Sequence, residues 1–447
     1  MTWNVRFPSD SFAVLRSRLL AVAPREAGAA LLCNRGVGKR LLLDHALFPE
    51  QHEISRQSPV ELEFHPGFVA RALKQARDFD QSLLFVHTHP FSSWPEFSSV
   101  DDAGERLLIP TLFARAPQGP HGAVVLGKEG FRGRIYSRPT FVEHLAAIVE
   151  VGENVRTLAR LSGVPDQLNL EEIYDRSVRA FGAEGQATLS RMTVGIVGLG
   201  GTGSIVAEQL AHLGVGHLKL LDDDQVEPSN LNRLIGSSAE DIGRPKVEVA
   251  ARMATRISGG KVGTTPLIGN VLDPQSAEAV LDCDFLFSCT DNHGSRATLV
   301  QSAYQFLIPT IDMGVQIDTH GGAVRAMSGR VQMLSPGLAC LQCRQLLDPE
   351  AVRRDFMSAQ ARQADPYITG LVQPQPAVVS LNGTVASLSV TMFLAAVAGV
   401  PSRARSLIYR ISEGIIKPAS FAPQTDCIVC SPRGALAKGH SWPILAR

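Results

Sequence analysis

The sequence predicts an α/β protein of more than one domain, and three observations carry that reading. A chain of 447 residues is longer than one hydrophobic core ordinarily organises. The stretch MTVGIVGLGGTGSIVAEQLAHLGVGHLKLLDDD, residues 192–224, reads as strand, glycine turn, helix and strand, the repeating unit of parallel sheets. Upstream, residues 1 to about 139 alternate helical and strand patterns of their own. Composition supports a globular chain, with 45% hydrophobic and 19% charged residues and a formal net charge of zero. No basic excess points to nucleic acid. The longest apolar run, Val385–Val400, contains Ser and Thr and falls short of the ~18 residues of a membrane span, so one buried helix and no membrane contact are expected. The opening MTWNVRFPSD lacks a charged-then-apolar signal pattern, and the expectation is a cytoplasmic protein. Four of the seven cysteines form two Cys-x-x-Cys pairs, which suits metal binding better than a disulfide framework.

In the stretch 192–224, an apolar run from Met192 to Val197 meets Gly198-Leu199-Gly200-Gly201-Thr202-Gly203. A helical pattern (Ile205, Val206, Leu210, Leu213) follows, then a second apolar run ending at Asp222. Glycines let the backbone approach a phosphate, a helix amino terminus presents free N–H groups to it, and an acid about 20 residues on holds a ribose hydroxyl. The turn alone fits a dinucleotide dehydrogenase as well as an ATP user.

Taken from the start, Ser11–Val22 has helix periodicity, Gly28–Cys33 and Lys39–Leu43 read as strands around the turn Asn34-Arg35-Gly36, and Pro66–Phe79 is helical. Gln81–Val86 is a short apolar strand that delivers HTHPFSSWPEFSSVDD, residues 87–102. His87 and His89 alternate along an extended segment, so both imidazoles leave the same side, and Pro90 ends the strand. Two imidazoles and one carboxylate, with a position left for water, form the ligand set of a hydrolytic zinc site; Asp101, twelve residues after His89, is the natural third ligand. A lone His-x-His is otherwise a pair of exposed strand histidines. The run resembles the signature of the JAMM (JAB/MPN-type) metalloproteases, His-x-His-Pro, seven residues, Ser, two residues, Asp, with Ser98 and Asp101 in place. That resemblance implies an α/β metalloprotease domain with a catalytic zinc on His87, His89 and Asp101. It also implies that Ser98 steadies the oxyanion and that an upstream Glu acts as general acid and base. Glu26 is the candidate, with Glu53, Glu61 and Glu63 as competitors; His45, His52, His65 and His121 read as surface or packing residues. Domain limits follow: 1–139, then a linker at 140–169 with an amphipathic helix over Phe141–Leu161 and a loop at 162–167, then 170–447.

The second domain opens with LNLEEIYDRSVRAFGAEGQATLSR, which leads into the glycine turn. Beyond Asp222 come Asn230-Leu231-Asn232-Arg233, Gly243-Arg244-Pro245-Lys246, and an apolar strand, Phe285–Cys289, ending in Thr290-Asp291-Asn292. Acyl adenylation needs such a set. A carboxylate must attack the α-phosphate while both are negative, so cations offset the repulsion and an acid holds magnesium. Hydride transfer needs neither. Residues 170–435 resemble the ThiF, MoeB and ubiquitin-activating enzyme superfamily, which has these motifs in the same order on a Rossmann-like sheet. The resemblance implies that Gly198, Gly200, Gly201 and Gly203 cradle ATP and that Asp222 holds the ribose. It places Asn230, Arg233 and Lys246 around the phosphates and Asp291 on magnesium, with Asn292 beside it. It also implies a homodimer in which an arginine before the first strand, Arg176 or else Arg179, reaches the partner's site. Each cation taken singly reads as a solvated surface charge. Cys340-Leu-Gln-Cys343 and Cys427-Ile-Val-Cys430 suit four thiolates around a structural zinc, a feature the resemblance includes; free thiols or a redox pair is the alternative.

Many members of that superfamily carry an acceptor cysteine in a crossover segment, here Asp365–Ala377, which has none. Cys33, Cys283 and Cys289 are expected in apolar strands, where buried thiols are usually inert. The chain is therefore expected to stop at an acyl-adenylate and to pass the acyl group to a separate acceptor protein or sulfur donor. Jointly the two resemblances imply a bifunctional enzyme that processes or deconjugates, and adenylates, a ubiquitin-like or sulfur-carrier protein with a diglycine-type C-terminus. The alternatives are adenylation of a small peptide in natural-product synthesis and a non-catalytic scaffold that binds a ubiquitin-like protein.

Overall fold

The computed structural model describes residues 2–159, 172–321, 323–358, 360–361 and 376–447. The loop expected at 162–167, the start of the second domain at 170–171, and all of the crossover segment except residues 376–377 lie outside them. The chain divides into two compact units. The first comprises Met1–Gly163, Gln305–Leu307 and Ala435–Pro443, and the second comprises Val164–Tyr304, Ile308–Gly434 and Ile444–Arg447.

The first unit contains strands β1 (Trp3–Pro8), β2 (Gly28–Arg35), β3 (Arg40–Leu47), β4 (Ile54–Ser58), β5 (Glu61–Phe64), β6 (Ser82–Thr88), β7 (His121–Leu126), β8 (Phe131–Arg138), β9 (Phe141–Val151) and β10 (Val155–Ala159). Its helices are α1 (Ser11–Leu20), α2 (Pro66–Asp78) and α3 (Ser99–Arg115). One sheet runs β1-β3-β2-β6-β7-β8-β9-β10, and β1 also pairs with β9, so the sheet curls back on itself. The helix expected over Phe141–Leu161 is thus a correction: over its described residues, 141–159, the segment is β9, a turn and β10. Phe141, Val142, Leu145, Ile148 and Val149 recur at spacings of three and four, which imitates a helix. The backbone instead pairs with β8 through its first half and with β1 and β10 through its second. A strand flanked on both edges takes its conformation from those neighbours rather than from local spacing. The segment Ala435–Pro443, assigned by sequence to the second domain, is held within the first unit: Lys438 Nζ pairs with Asp44 at 2.6 Å and Asn34 Nδ2 donates to the Ala437 carbonyl at 2.9 Å.

The second unit opens with α4 (Asp175–Arg191), which breaks at Phe181-Gly182, where Gly182 has φ +81°. Then follow β11 (Thr193–Val197), α5 (Gly201–His212), β12 (His217–Asp222), α6 (Lys246–Ser258), β13 (Gly263–Ile268), α7 (Pro274–Glu278), β14 (Phe285–Ser288), α8 (His293–Gln305), β15 (Thr310–His320), β16 (Ala323–Leu334), α9 (Pro349–Phe356), α10 (Val379–Val397), β17 (Ser406–Arg410) and β18 (Ile415–Pro418). The sheet order is β13-β12-β11-β14-β15-β16-β17-β18. Strands β13 through β15 are parallel and the remainder antiparallel. By length and composition α10 matches a membrane span, yet Leu381, Val385 and Phe393 bury into one apolar cluster with α5, α6 and the sheet. It is the buried helix expected from Val385–Val400. In parallel sheets of this kind, ligands bind beyond the carboxyl ends of the strands, and here those ends carry Asp222, the glycine turn and Asp291.

Candidate functional sites

In the first unit, β6 carries His87 and leads to His89, while α3 begins just after Ser98. Ser98 and Asp101 form a capping box: the Ser98 hydroxyl accepts from Asp101 N–H at 3.2 Å, and the Asp101 carboxylate accepts from Ser98 N–H at 2.6 Å. This is ordinary helix-start chemistry. It also aims Asp101 at the histidines, with Oδ1 at 3.0 Å from His87 Nε2 and Oδ2 at 3.5 Å from His89 Nε2. The two Nε2 atoms are 3.3 Å apart. Ligands about 2.0–2.1 Å from a tetrahedral zinc stand roughly 3.3 Å from one another, and the separations among the two Nε2 atoms and the two Asp101 oxygens are near that value. Burial opposes ionisation of Asp101, yet hydrogen bonds from His87 and His89 hold its carboxyl far below the usual range.

Glu26 precedes β2, and its Oε1 lies 3.6 Å from His89 Nε2. Its carboxylate joins His87 and His89 in one cluster of possible ligand atoms. Burial raises its pKa, an effect partly offset by the two histidines. The competitors are placed otherwise, since Glu53 pairs with Arg71 at 2.6 Å, and Glu61 and Glu63 pair with Arg56 at 3.3 and 3.4 Å. Sequence reasoning missed Thr88, whose buried hydroxyl accepts from Ala27 N–H at 2.9 Å and so fixes the chain beside Glu26. It alternates with the two histidines and points to the opposite face. His121 is a packing residue, buried between Leu83 N–H and the Ala116 carbonyl.

In the second unit, the turn between β11 and α5 is shaped by its glycines. Gly198 has φ +88°, and a Cβ on Gly203 would stand 1.9 Å from the Gly198 carbonyl oxygen, so no side chain fits there. Gly200 caps α5 and Gly201 begins it. Asp222, at the end of β12, accepts from Leu199 N–H at 2.5 Å, and burial raises its pKa against that bond and the nearby Lys246. Lys246 begins α6 and pairs with Asp224 at 2.6 Å, while Arg233 Nη1 donates to the Ser229 carbonyl at 2.6 Å. Both cations therefore have protein partners in this state.

Asn230 is buried and caps its own turn by accepting from Glu227 N–H at 3.2 Å, and Asn292 caps α8 by accepting from Ser295 N–H at 2.7 Å. These two amides shape the loops on either side. Asp291 is exposed. Arg176 is exposed on the first turn of α4, and Arg179 pairs with Asp175 at 2.8 Å. Sequence reasoning missed Asn382 of α10: a Cβ on Gly201 would come within 2.2 Å of its Nδ2 and 3.4 Å of Arg233 Cδ, so both line the turn. A buried amide within an apolar helix is the signal that would have found it.

The two knuckles converge across 87 residues. Sulfur–sulfur distances are 3.6 Å for Cys340–Cys343 and Cys340–Cys427 and 3.4 Å for Cys343–Cys430. Four thiolates about 2.3 Å from a tetrahedral zinc stand roughly 3.8 Å apart, so the donor set fits a closed structural site. Hydrogen bonds from Cys340, then Cys343 and Cys427, lower the Cys430 thiol, whereas the bond to Cys430 and burial push Cys340 far up, so without a metal one thiolate is shared among protonated neighbours. Of the other cysteines, Cys33 is in β2, whereas Cys283 and Cys289 flank β14 rather than lying in it. Burial pushes the Cys33 and Cys289 thiols far above their usual value.

The sequence profile of the ThiF family matches residues 174–429. The chain is 34% identical over 174 residues to a molybdopterin-synthase adenylyltransferase of Escherichia coli, an alignment covering 38% of this chain and 66%, just under two thirds, of that relative. It is 29% identical over 255 residues to the SAMP-activating enzyme E1 of Haloferax volcanii, covering 57% of this chain and 85% of the relative. Among solved structures, E. coli MccB with ATP is similar at 20% identity and a TM-score of 0.47, over 58% of this chain and 75% of that one. A likeness of that size says nothing about chemistry. The profile spans more than half of the chain, the glycine turn and both cysteine knuckles up to Cys427, and over that span this protein belongs to the ThiF family.

Proposed function

We propose that the chain is a bifunctional enzyme acting on the carboxyl terminus of a ubiquitin-like or sulfur-carrier protein. The second unit adenylates that terminus. The observation that carries this reading is the row of groups along the carboxyl edge of one parallel sheet: Asp222 after β12, the glycine turn after β11 and Asp291 after β14. The names of three relatives support it, a molybdopterin-synthase adenylyltransferase, a SAMP-activating enzyme and a ubiquitin-like modifier-activating enzyme 5.

Asp222 holds the ribose, and the free N–H groups of the first turn of α5 receive phosphate. Lys246 and Arg233 exchange Asp224 and the Ser229 carbonyl for phosphate oxygens. The carboxylate oxygen of the substrate attacks the α-phosphorus and pyrophosphate leaves with its bridging oxygen. Magnesium on Asp291 would neutralise charge on the departing pyrophosphate. With no cysteine in Asp365–Ala377, and with Cys33 and Cys289 held as thiols, the product is the acyl-adenylate, which a separate acceptor consumes. The family arrangement assigns Arg176 to the neighbouring site of a homodimer. Arg176→Ala is therefore expected to bind ATP but lose pyrophosphate exchange, and mixing it with Asp291→Ala should restore up to a quarter of wild-type exchange through heterodimers with one intact site. A monomer with full activity would remove the trans role.

The first unit hydrolyses a peptide or isopeptide bond following such a terminus, as the resemblance to JAMM proteases suggests. His87, His89 and Asp101 would hold zinc, which when bound supplies an acidic water and polarises the scissile carbonyl. Glu26 takes the proton and returns it to the leaving amine, and the Ser98 hydroxyl, whose oxygen accepts from Asp101 N–H, keeps its own proton to donate to the oxyanion. Purified protein is expected to hold two zinc ions per chain, one released first by a mild chelator because its site is open. Elemental analysis finding one zinc or fewer, with His87→Ala leaving the content unchanged, would sink the protease reading.

A further inference from the structure

Two arginines in the second unit share one buried carboxylate, and a third, Arg344, lies close enough to feel its charge. Asp312 of β15 is fully buried, and its Oδ2 is 2.5 Å from Arg330 Nη2 of β16 and its Oδ1 3.5 Å from Arg296 Nε of α8. The remaining hydrogen bond to that carboxylate comes from the Ser288 hydroxyl at 3.1 Å. Arg344, just after the first knuckle, donates to the Ser406 hydroxyl at 3.1 Å and to Gln332, and its guanidinium lies over the Phe421 ring. Burial and the nearby Arg330 charge lower Arg344 to about 10. Among the described residues, Asp312 is the one carboxylate paired with any of the three. Arg330 Nη1 and Arg344 Nε are buried without a hydrogen-bond partner among those residues, and Arg296 Nε has the 3.5 Å ion pair with Asp312 in place of a hydrogen bond. Two positive charges in excess, with unpaired buried donors, are costly unless an anion completes the set.

The position of this excess charge identifies the anion. Asp312 is level with Ser288, the last residue of β14, and Gly314 lies two residues further along β15, past the last paired residue of β14. Gly314 faces Arg330 across the ladder. A Cβ there would stand 3.2 Å from Arg296 Nη2, which donates to the Met313 carbonyl at 3.3 Å, and 3.7 Å from Arg330 Nη2, the atom bonded to Asp312, so the glycine leaves a slot between two guanidinium ends whose present partners an incoming carboxylate would share or replace. Along the sheet edge the order is Asp222 on β12, the glycine turn on β11, Asp291 after β14, and then the arginines over β15 and β16. A nucleotide with its ribose at Asp222 and its phosphates at the turn leaves the β15 side free for the attacking group. That group is a carboxylate, planar and singly charged, which guanidinium pairs bind in two-point fashion. We propose that Arg330 and Arg296, with Gly314 between them, form the subsite that receives the free carboxylate of the acyl substrate and orients it toward the α-phosphate, with Arg344 adding to the field.

This rests on the adenylation reading, and the experiment separates the two. Full-length protein with α,β-methylene ATP bound is titrated with a fluorescein-labelled hexapeptide ending in Gly-Gly carboxylate and with the same peptide as its C-terminal amide. The wild type is expected to prefer the carboxylate about tenfold, the scale of one charge-assisted pair. Arg330→Gln should reduce the preference below twofold with nucleotide affinity within twofold of wild type, and Arg330→Lys should recover part of it. Gly314→Ala, which narrows the slot with every charge retained, should weaken it at least threefold and serves if Arg330→Gln does not fold. No carboxylate preference in the wild type, or one unchanged in Arg330→Gln or Gly314→Ala, overturns the subsite. Pyrophosphate exchange with ordinary ATP and the same peptide tests the underlying reading: exchange without an Arg330-dependent preference leaves adenylation standing and removes the subsite, whereas that preference without exchange does the reverse.

Discussion

Asp291→Ala is expected to abolish ATP–pyrophosphate exchange, by about 10³-fold or more, while cleavage of an extended ubiquitin-like substrate stays within a few fold. The magnitude is that of removing one group that stabilises charge in a transition state, roughly 4 kcal/mol. The side chain is exposed at the end of β14, so its removal leaves no buried partner unpaired and should not unfold the chain. A melting temperature within a few degrees of wild type would accompany the loss. Simultaneous loss of cleavage in the folded variant would mean that the two reactions share one site, contrary to the assignment of Asp291 and His89 to different units.

Glu26→Gln should produce the opposite pattern. The amide is nearly the same size as the carboxylate and keeps the polar contact with His89, but it cannot take a proton from water. Hydrolysis is expected to fall by about 10²–10⁴-fold, the usual contribution of a general base. Zinc content should remain at two per chain, since His87, His89 and Asp101 are untouched, and pyrophosphate exchange should be unchanged. Loss of zinc in this variant would recast Glu26 as a ligand, and retained hydrolysis would hand its role to another carboxylate. Glu53, salt-bridged to Arg71, is the poorest substitute.

Much of the candidate chemistry was legible because it lies in short segments whose geometry is local. An HxH pair at the end of a strand points both rings the same way whatever the remainder of the chain does. Ser98 and Asp101 cap a helix at a spacing that any helix start enforces, and the glycine turn needs its glycines because a Cβ at position 203 would strike the carbonyl of position 198. Other features depended on partners distant in sequence. Phe141–Val151 became strand because β1, β8 and β10 bind its edges, although its apolar spacing imitates a helix. The residues after the second knuckle joined the first unit through contacts nearly 400 positions away, such as Lys438 with Asp44.

By itself, then, the sequence determined which chemical groups this protein carries and the local geometry of each motif, since backbone sterics and hydrogen-bonding act over a few residues. Only the tertiary structure decided that Glu26, rather than Glu53, Glu61 or Glu63, stands beside the histidines, and that Asn382 lines the glycine turn. It alone brought Arg296 and Arg330, from one helix and one strand, to a single buried Asp312. Sheet register and packing set those distances, and neither is encoded in the spacing along any one segment.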